Sequence, residues 1–253
     1  VVRELDNKIA VVTGGARNIG RRICEILAER GATAVSVDLL ASDEMVSSVE
    51  QAGGEAWYRQ ADLTDEAAVG TAVGEIVERY GRIDILVNNA GLFAGLERRP
   101  FWEIDVEEWD RVIDANLRSV FLVSKAVSAA MREARSGRIV NIASNVFTFG
   151  MPNLMHYVAS KGAVVGMTRS MAKELGDFGI AVNAVSPGLV TTDLTRQTVP
   201  DEYREIVAQG QCLKEPIMPD DIANVVATLA GPTARMVSGQ TWLVNGGATM
   251  GPS

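Results

Sequence analysis

A phenol and an ammonium stand four residues apart in Tyr157-Val158-Ala159-Ser160-Lys161. On a helix that spacing sets both on one face, one turn apart. A neighbouring cation favours phenolate over phenol, so Lys161 is expected to draw the pKa of Tyr157 down and fit it for proton transfer. On spacing alone, such a pair is more often an amphipathic surface feature. The surroundings argue otherwise. Ser144 follows the apolar run Ile139-Val140-Asn141-Ile142, at the carboxyl end of a strand, where open α/β sheets bind their ligands. Asn116, in Asp114-Ala115-Asn116-Leu117, is a polar residue in an otherwise apolar helix and by itself reads as a satisfied buried amide.

A second constellation opens the chain. Thr13-Gly14-Gly15-Ala16-Arg17-Asn18-Ile19-Gly20 follows one apolar run and precedes a helical pattern. Glycines in a strand-to-helix turn let the backbone approach a pyrophosphate, and the helix start offers free N–H donors. A plain tight turn would need the same glycines; the place directly after strand one favours a dinucleotide site. Asp38 ends the second strand, 24 residues after Gly14. A carboxylate there can accept both adenine-ribose hydroxyls and repel a 2′-phosphate, by roughly 4 kcal/mol at ~4 Å. Arg17 acts in the opposite sense, since a guanidinium could hold that phosphate. NAD is the expected cofactor.

The elements that must position these groups are short apolar strands alternating with amphipathic helices. Ile9–Val12, Ala34–Val37, Ile83–Val87, Ile139–Ile142 and Ile180–Val185 read as buried parallel strands, with Glu55–Gln60 and Thr241–Val244 completing the series. Helical patterns cover Ile19–Arg30, Glu66–Tyr80, Val106–Arg132, Met155–Phe178 and Asp220–Leu229. Asp65 and Asp220 can cap two of them, and Gly31 and Gly179 sit where helices end. The alternation predicts an α/β, Rossmann-type doubly wound parallel sheet with helices on both faces. Residues 1–253 are expected to form one domain, with the least regular stretch, 189–219, as a flexible lid over the substrate.

Composition sets the outer bounds. The 253 residues are 47% hydrophobic and 22% charged, near the soluble globular average. A net charge of −8 without a basic run argues against nucleic acid and anionic membranes as partners. No apolar run approaches the ~18 residues of a membrane span, and VVRELDNK lacks a signal pattern. Cys24 and Cys212 make neither a disulfide framework nor a metal-type spacing, so a cytoplasmic protein without a metal is expected.

Taken together, the motifs resemble the short-chain dehydrogenase/reductase family from end to end. The glycine turn is similar to the family's TGxxxGxG, with Asn18 where the middle glycine is usual; asparagine is the side chain best suited to a left-handed backbone. Asp62-Leu63 resembles the adenine contact, Asn88-Asn89-Ala90-Gly91 the segment after strand four, and Pro187-Gly188 with Val190 and Thr192 the stretch facing the nicotinamide carboxamide. The resemblance implies cofactor contacts from Gly14, Arg17, Asn18, Ile19, Gly20, Asp38, Asp62, Leu63, Asn89, Ala90, Gly91, Tyr157, Lys161, Pro187, Gly188, Val190 and Thr192. It implies that Tyr157 exchanges a proton with the substrate oxygen while Lys161 lowers its pKa and bonds the nicotinamide ribose. By the same resemblance, Ser144 polarises that oxygen and Asn116 holds a water linking Lys161 to solvent. A homotetramer is implied too.

Pocket residues are expected from Ser144, Asn145, Phe147, Phe149, Met151 and Tyr157, with Leu92-Phe93 and the lid from Leu194 onwards. That apolar set suggests a hydrophobic or aromatic secondary alcohol or ketone as the small-molecule substrate. Several of these side chains could equally be core. His156, the only histidine, is read as structural or at the pocket edge, and Arg169 and Lys173 as solvated charges. The main alternative is a 3-oxoacyl-thioester reductase of the same family, supported by the tail Ser238–Gly247. Such enzymes commonly use NADPH, which Asp38 disfavours; Arg17 and Arg169 favour an acidic carrier. A non-catalytic nucleotide sensor and a sugar-nucleotide epimerase or dehydratase are lesser alternatives, the first because Tyr157, Lys161 and Ser144 are all present.

Overall fold

Seven short strands carry the hydrophobic alternation into both layers of the molecule. A computed structural model describes residues 3–93 and 95–250; Val1, Val2, Ala94 and 251–253, part of the expected single domain, lie outside them. The strands are β1 (Ile9–Thr13), β2 (Thr33–Asp38), β3 (Glu55–Gln60), β4 (Ile85–Asn88), β5 (Gly137–Ile142), β6 (Ile180–Pro187) and β7 (Thr241–Val244). They form one parallel sheet in the order β3-β2-β1-β4-β5-β6-β7, with Ala10 opposite both Ala34 and Ile85. The order reverses between β1 and β4, and the crevice at such a reversal is where doubly wound sheets bind ligands.

The expected helices are present as α1 (Asn18–Glu29), α3 (Glu66–Tyr80), α7 (Met155–Leu175) and α10 (Pro219–Ala230), with α2 (Asp43–Gln51) in addition. Ala10 and Val12 pack on one face, with Ile23 and Leu27 of α1 and Ile222 and Val226 of α10. Ile9 and Val11 pack on the other, with Val73 and Ile76 of α3. Period-two side chains thus divide between two cores, each large apolar side chain contributing roughly 1.5–3 kcal/mol of burial. Asp65 caps α3, accepting from the Ala67 and Ala68 amides. Gly31 and Gly179 both take the left-handed backbone expected of helix ends.

Four expectations are corrected by the coordinates. The helix expected over Val106–Arg132 is α4 (Val106–Ile113) and α5 (Ser119–Ala134), joined by a π turn at Asp114–Arg118. Asp220 is not the cap of α10: Pro219 opens that helix, the Asp221 carboxylate accepts from the Met218 amide, and Asp220 pairs with Arg22 of α1. β4 begins at Ile85, two residues late, and the buried Asp84 carboxylate just before it accepts from the Ile9 amide and the Lys8 ammonium. The 189–219 stretch is not irregular. It folds as α8 (Asp193–Thr198), capped by Thr192 and Thr195, and α9 (Asp201–Gln209). The short α6 (Val146–Phe149) completes the set. Cys24 is buried, whereas Cys212 is exposed and its thiol bonds the Gly247 carbonyl.

Candidate active site

At the carboxyl end of β1 the chain must turn tightly, and its sequence supplies the means. Gly14 and Asn18 both have positive φ, 66° and 51°, so Asn18 takes the left-handed backbone that its residue type suggested. A Cβ on Gly20 would lie 1.9 Å from the Gly14 carbonyl oxygen; α1 can start this close only with glycine there. The Thr13 hydroxyl accepts from the Asn89 and Ala90 amides at 3.0 Å each, tying the tip of β1 to that of β4. The Asn89 side chain donates to the Thr13 and Gly14 carbonyls. Asp38 accepts from Ala16 N–H at 3.0 Å and from Leu40 N–H at 3.0 Å. Those two bonds fix its carboxylate beside the glycine turn. Asp62 accepts from the Thr64 amide and hydroxyl, which hold its pKa below the usual carboxylate value.

A cavity of about 950 Å³ opens over these strand ends. Gly14, Arg17, Asn18, Ile19, Gly20, Asp38, Asp62, Leu63, Asn89, Ala90, Gly91, Pro187, Gly188, Val190 and Thr192 all line it, as do Ser144, Asn145, Phe149, Met151, Tyr157 and Lys161. Two predicted residues do not. Phe147 packs with Leu117, Val120 and Val164 instead. On α6, Val146 and Phe149 are three residues apart and share the cavity-facing side, which turns Phe147 away. Asn116 lies behind the wall, fully buried.

Asn116 sits in the π turn, and its side chain is occupied: it accepts from the Leu92 amide and donates to the Leu92 carbonyl and the Ser160 hydroxyl, both at 3.1 Å. Its side chain thus clamps the post-β4 loop to α7. Ser160 donates in turn to the Tyr157 carbonyl at 2.7 Å. Gly91 lets the two groups converge; a Cβ there would meet Asn116 Oδ1 at 3.1 Å and Lys161 Nζ at 3.4 Å. Lys161 Nζ donates to the Ile142 carbonyl at 2.9 Å, anchoring α7 to the tip of β5.

Burial, not Lys161, dominates the Tyr157 hydroxyl: its pKa is pushed up to about 12, against a smaller lowering by the Ser144 hydroxyl. The expected depression is therefore reversed. Burial also pushes Lys161 down to about 8. Phe93 packs on the Tyr157 ring at 5.0 Å between centroids. His156 lies off the cavity, its Nε2 bonded to Glu108 at 2.9 Å and itself wholly buried, which fits its structural reading.

Residues 14–249 match the family described as enoyl-(acyl carrier protein) reductase, and solved dehydrogenases superpose over nearly the whole chain. The chain belongs to the short-chain dehydrogenase/reductase family. A dehydrogenase/reductase from Sinorhizobium meliloti 1021 aligns with a TM-score of 0.90 and 36% identity, covering 98% of this chain and 97% of its own. Levodione reductase aligns at 0.88 and 32%, covering 96% and 98%. Among curated relatives, the 3-oxoacyl-(acyl-carrier-protein) reductase FabG of Staphylococcus epidermidis is 38% identical over 96% of this chain and all of the relative. FabG of Escherichia coli is 38% identical over 97% and 98%. As a short-chain dehydrogenase/reductase, the chain is an oxidoreductase of the nicotinamide-using kind. Its curated relatives fit the acyl-thioester alternative better than the free alcohol or ketone.

The cavity also gains Ser119, Arg98 and Thr249, which the sequence did not offer, while Tyr203 and Val207 come from the 189–219 stretch expected to supply lining without being named singly. Tyr203 and Val207 come from α9, whose start is legible in Pro200-Asp201-Glu202 once a helix is sought there. Thr249 arrives because the C-terminal segment folds back, its hydroxyl 3.1 Å from that of Thr148; no local signal marks it. Among the described residues, no helix is long and apolar enough to cross a membrane.

Proposed function

We propose that the chain reduces a ketone carbonyl to a secondary alcohol with NADH, and that 3-oxoacyl thioesters are its first substrate class. The observation that carries the reaction is Tyr157, Ser144 and Lys161 on one cavity wall with Tyr157 held as a phenol. The residues fit a nicotinamide dinucleotide: the Gly14–Gly20 turn admits a pyrophosphate, Asp38 stands ready for the ribose, and Val190 and Thr192 would meet the carboxamide. Bound there, the cofactor supplies the hydride. Tyr157 gives its proton to the carbonyl oxygen, and Ser144 orients and polarises that oxygen. Lys161, anchored at Ile142, holds positive charge near the developing phenolate.

The relatives named 3-oxoacyl-(acyl-carrier-protein) reductase support the thioester. A second reading, a free hydrophobic or aromatic ketone, is supported by Phe93, Phe149 and Met151 on the wall. The Asp38 carboxylate supports NAD over NADP in either case. A homotetramer belongs to the same proposal, supported by exposed apolar side chains at Phe101, Trp102, Val106 and Phe121.

The test is oxidation of NADH and of NADPH with an acetoacetyl thioester and an aryl-alkyl ketone. Faster turnover of the thioester with NADH is the expected result. Preference for the aryl ketone transfers the conclusion to the second reading, and no turnover of either carbonyl refutes both.

A further inference from the structure

Among the described residues, five charged side chains line the cavity: Arg17, Asp38, Asp62, Arg98 and Lys161. Arg17, Asp38 and Asp62 surround the glycine turn and the tips of β2 and β3, and Lys161 is bonded to Ile142. Arg98 alone comes from the loop after β4. That loop is held through Leu96, which clusters with Phe93, Met151 and Tyr157, and through the Arg99 amide, which donates to the Asn153 carbonyl. Arg99 is surrounded by carboxylates, Glu97, Asp105 and Glu108, whereas Arg98 has no ion-pair partner among the described residues. Its guanidinium carbon instead lies 5.5 Å from the centroid of the Tyr203 ring on α9.

A guanidinium held over an aromatic ring still has N–H donors to offer, and their fork matches the two oxygens of a carboxylate or phosphate. In a chain of net charge −8, an anionic ligand meets general repulsion, so a lining cation without a carboxylate partner, away from the glycine turn and from Lys161, favours one place where such a ligand can settle. The geometry points to Arg98, seated on Tyr203, as a subsite for an anionic group that the substrate carries away from its reacting carbonyl. The group is a carboxylate on a small ketone or a phosphate on a long thioester. This inference rests on the carbonyl-reductase reading above. Because Arg98 comes from the post-β4 loop and Tyr203 from α9, an anion held there also ties those two segments together across the mouth.

Two matched substrate pairs separate the sources: 4-acetylbenzoate against its methyl ester, and acetoacetyl-coenzyme A against the phosphate-free acetoacetyl N-acetylcysteamine thioester. For each pair, the ratio of kcat/KM, anionic over neutral, is measured in the wild type, Arg98→Gln and Arg98→Lys. The ratio is expected to fall at least about tenfold in Arg98→Gln, through KM, and less in Arg98→Lys, which keeps the charge without the planar fork. A fall confined to the benzoate pair identifies a carboxylate, and one confined to the thioester pair identifies a phosphate. Unchanged ratios in both pairs overturn the subsite. If the wild type turns over none of the four, the reductase reading fails, and calorimetric titration of the same compounds onto the enzyme with NAD reads the subsite by itself. Tighter binding of the anionic member, lost in Arg98→Gln, then supports the subsite, and equal binding overturns it.

Discussion

Burial leaves Tyr157 protonated at neutral pH, with a pKa of about 12, and a phenol in that state is ready to donate to a carbonyl oxygen. Tyr157→Phe is expected to lower kcat for reduction by roughly 10²–10⁴-fold, the range for loss of a positioned acid, while NADH fluorescence still reports cofactor binding. Lys161 carries the opposite burden. Its pKa is about 8 against an ordinary 10.5, so its buried charge destabilises the fold fully below about pH 8. That cost fades as pH rises towards the free value, because there the unfolded chain binds a proton that the folded chain has released. Lys161→Met is expected to raise the unfolding free energy at neutral pH by on the order of 1–3 kcal/mol. In urea denaturation its advantage should narrow by about pH 10, with turnover lost throughout. Asp38→Ala should raise NADP use relative to NAD at least about tenfold, given the like-charge repulsion it removes; an unchanged ratio would take Asp38 out of the ribose site. At this scale the sequence showed residue types and spacing well. It could not show which side of a four-residue helix Phe147 faces, nor that burial outweighs Lys161 at the Tyr157 hydroxyl.

Helices and strands were legible wherever one periodicity governed a run. α3 was read to its exact limits, its start marked by Asp65, whereas α2, short and mostly exposed, buries only Met45 and Val49 and gave no sustained pattern. The π turn at Asp114–Arg118 left no trace in residue spacing, since one widened turn shifts the pattern less than its natural scatter. The glycine turn gives the element-scale prediction. Gly20→Ala puts a methyl against the Gly14 carbonyl and forces α1 away from β1, at a cost of about 1–3 kcal/mol and with weakened NADH binding. Gly74→Ala, in α3 with nothing within 4 Å of the added methyl, should instead stabilise by about 0.5–1 kcal/mol. Thermal melts of the two variants check both signs.

Across the whole molecule, the parallel order follows from strands apolar on both faces, and that much was readable before any coordinates. That the C-terminal segment reaches the cavity was not, because Thr249 arrives there only through long-range folding. The exposed side chains of Trp102 (72%) and Phe101 (57%) stand together before α4, their rings 5.2 Å apart between centroids, an apolar patch suited to a subunit contact. Light scattering is expected to return four chain masses, and a single mass would refute the assembly.

The two cysteines divide labour in a way an experimenter can use. Cys24 is sealed beneath Gly15, and its thiol pKa is raised by burial, so a maleimide dye should find Cys212 alone. That residue stands two positions after Gly210, which lines the cavity, and three after the last residue of α9. One covalent fluorophore, attached without any mutation, would sit where α9 meets the C-terminal segment and would report in real time whether ligands draw the two together.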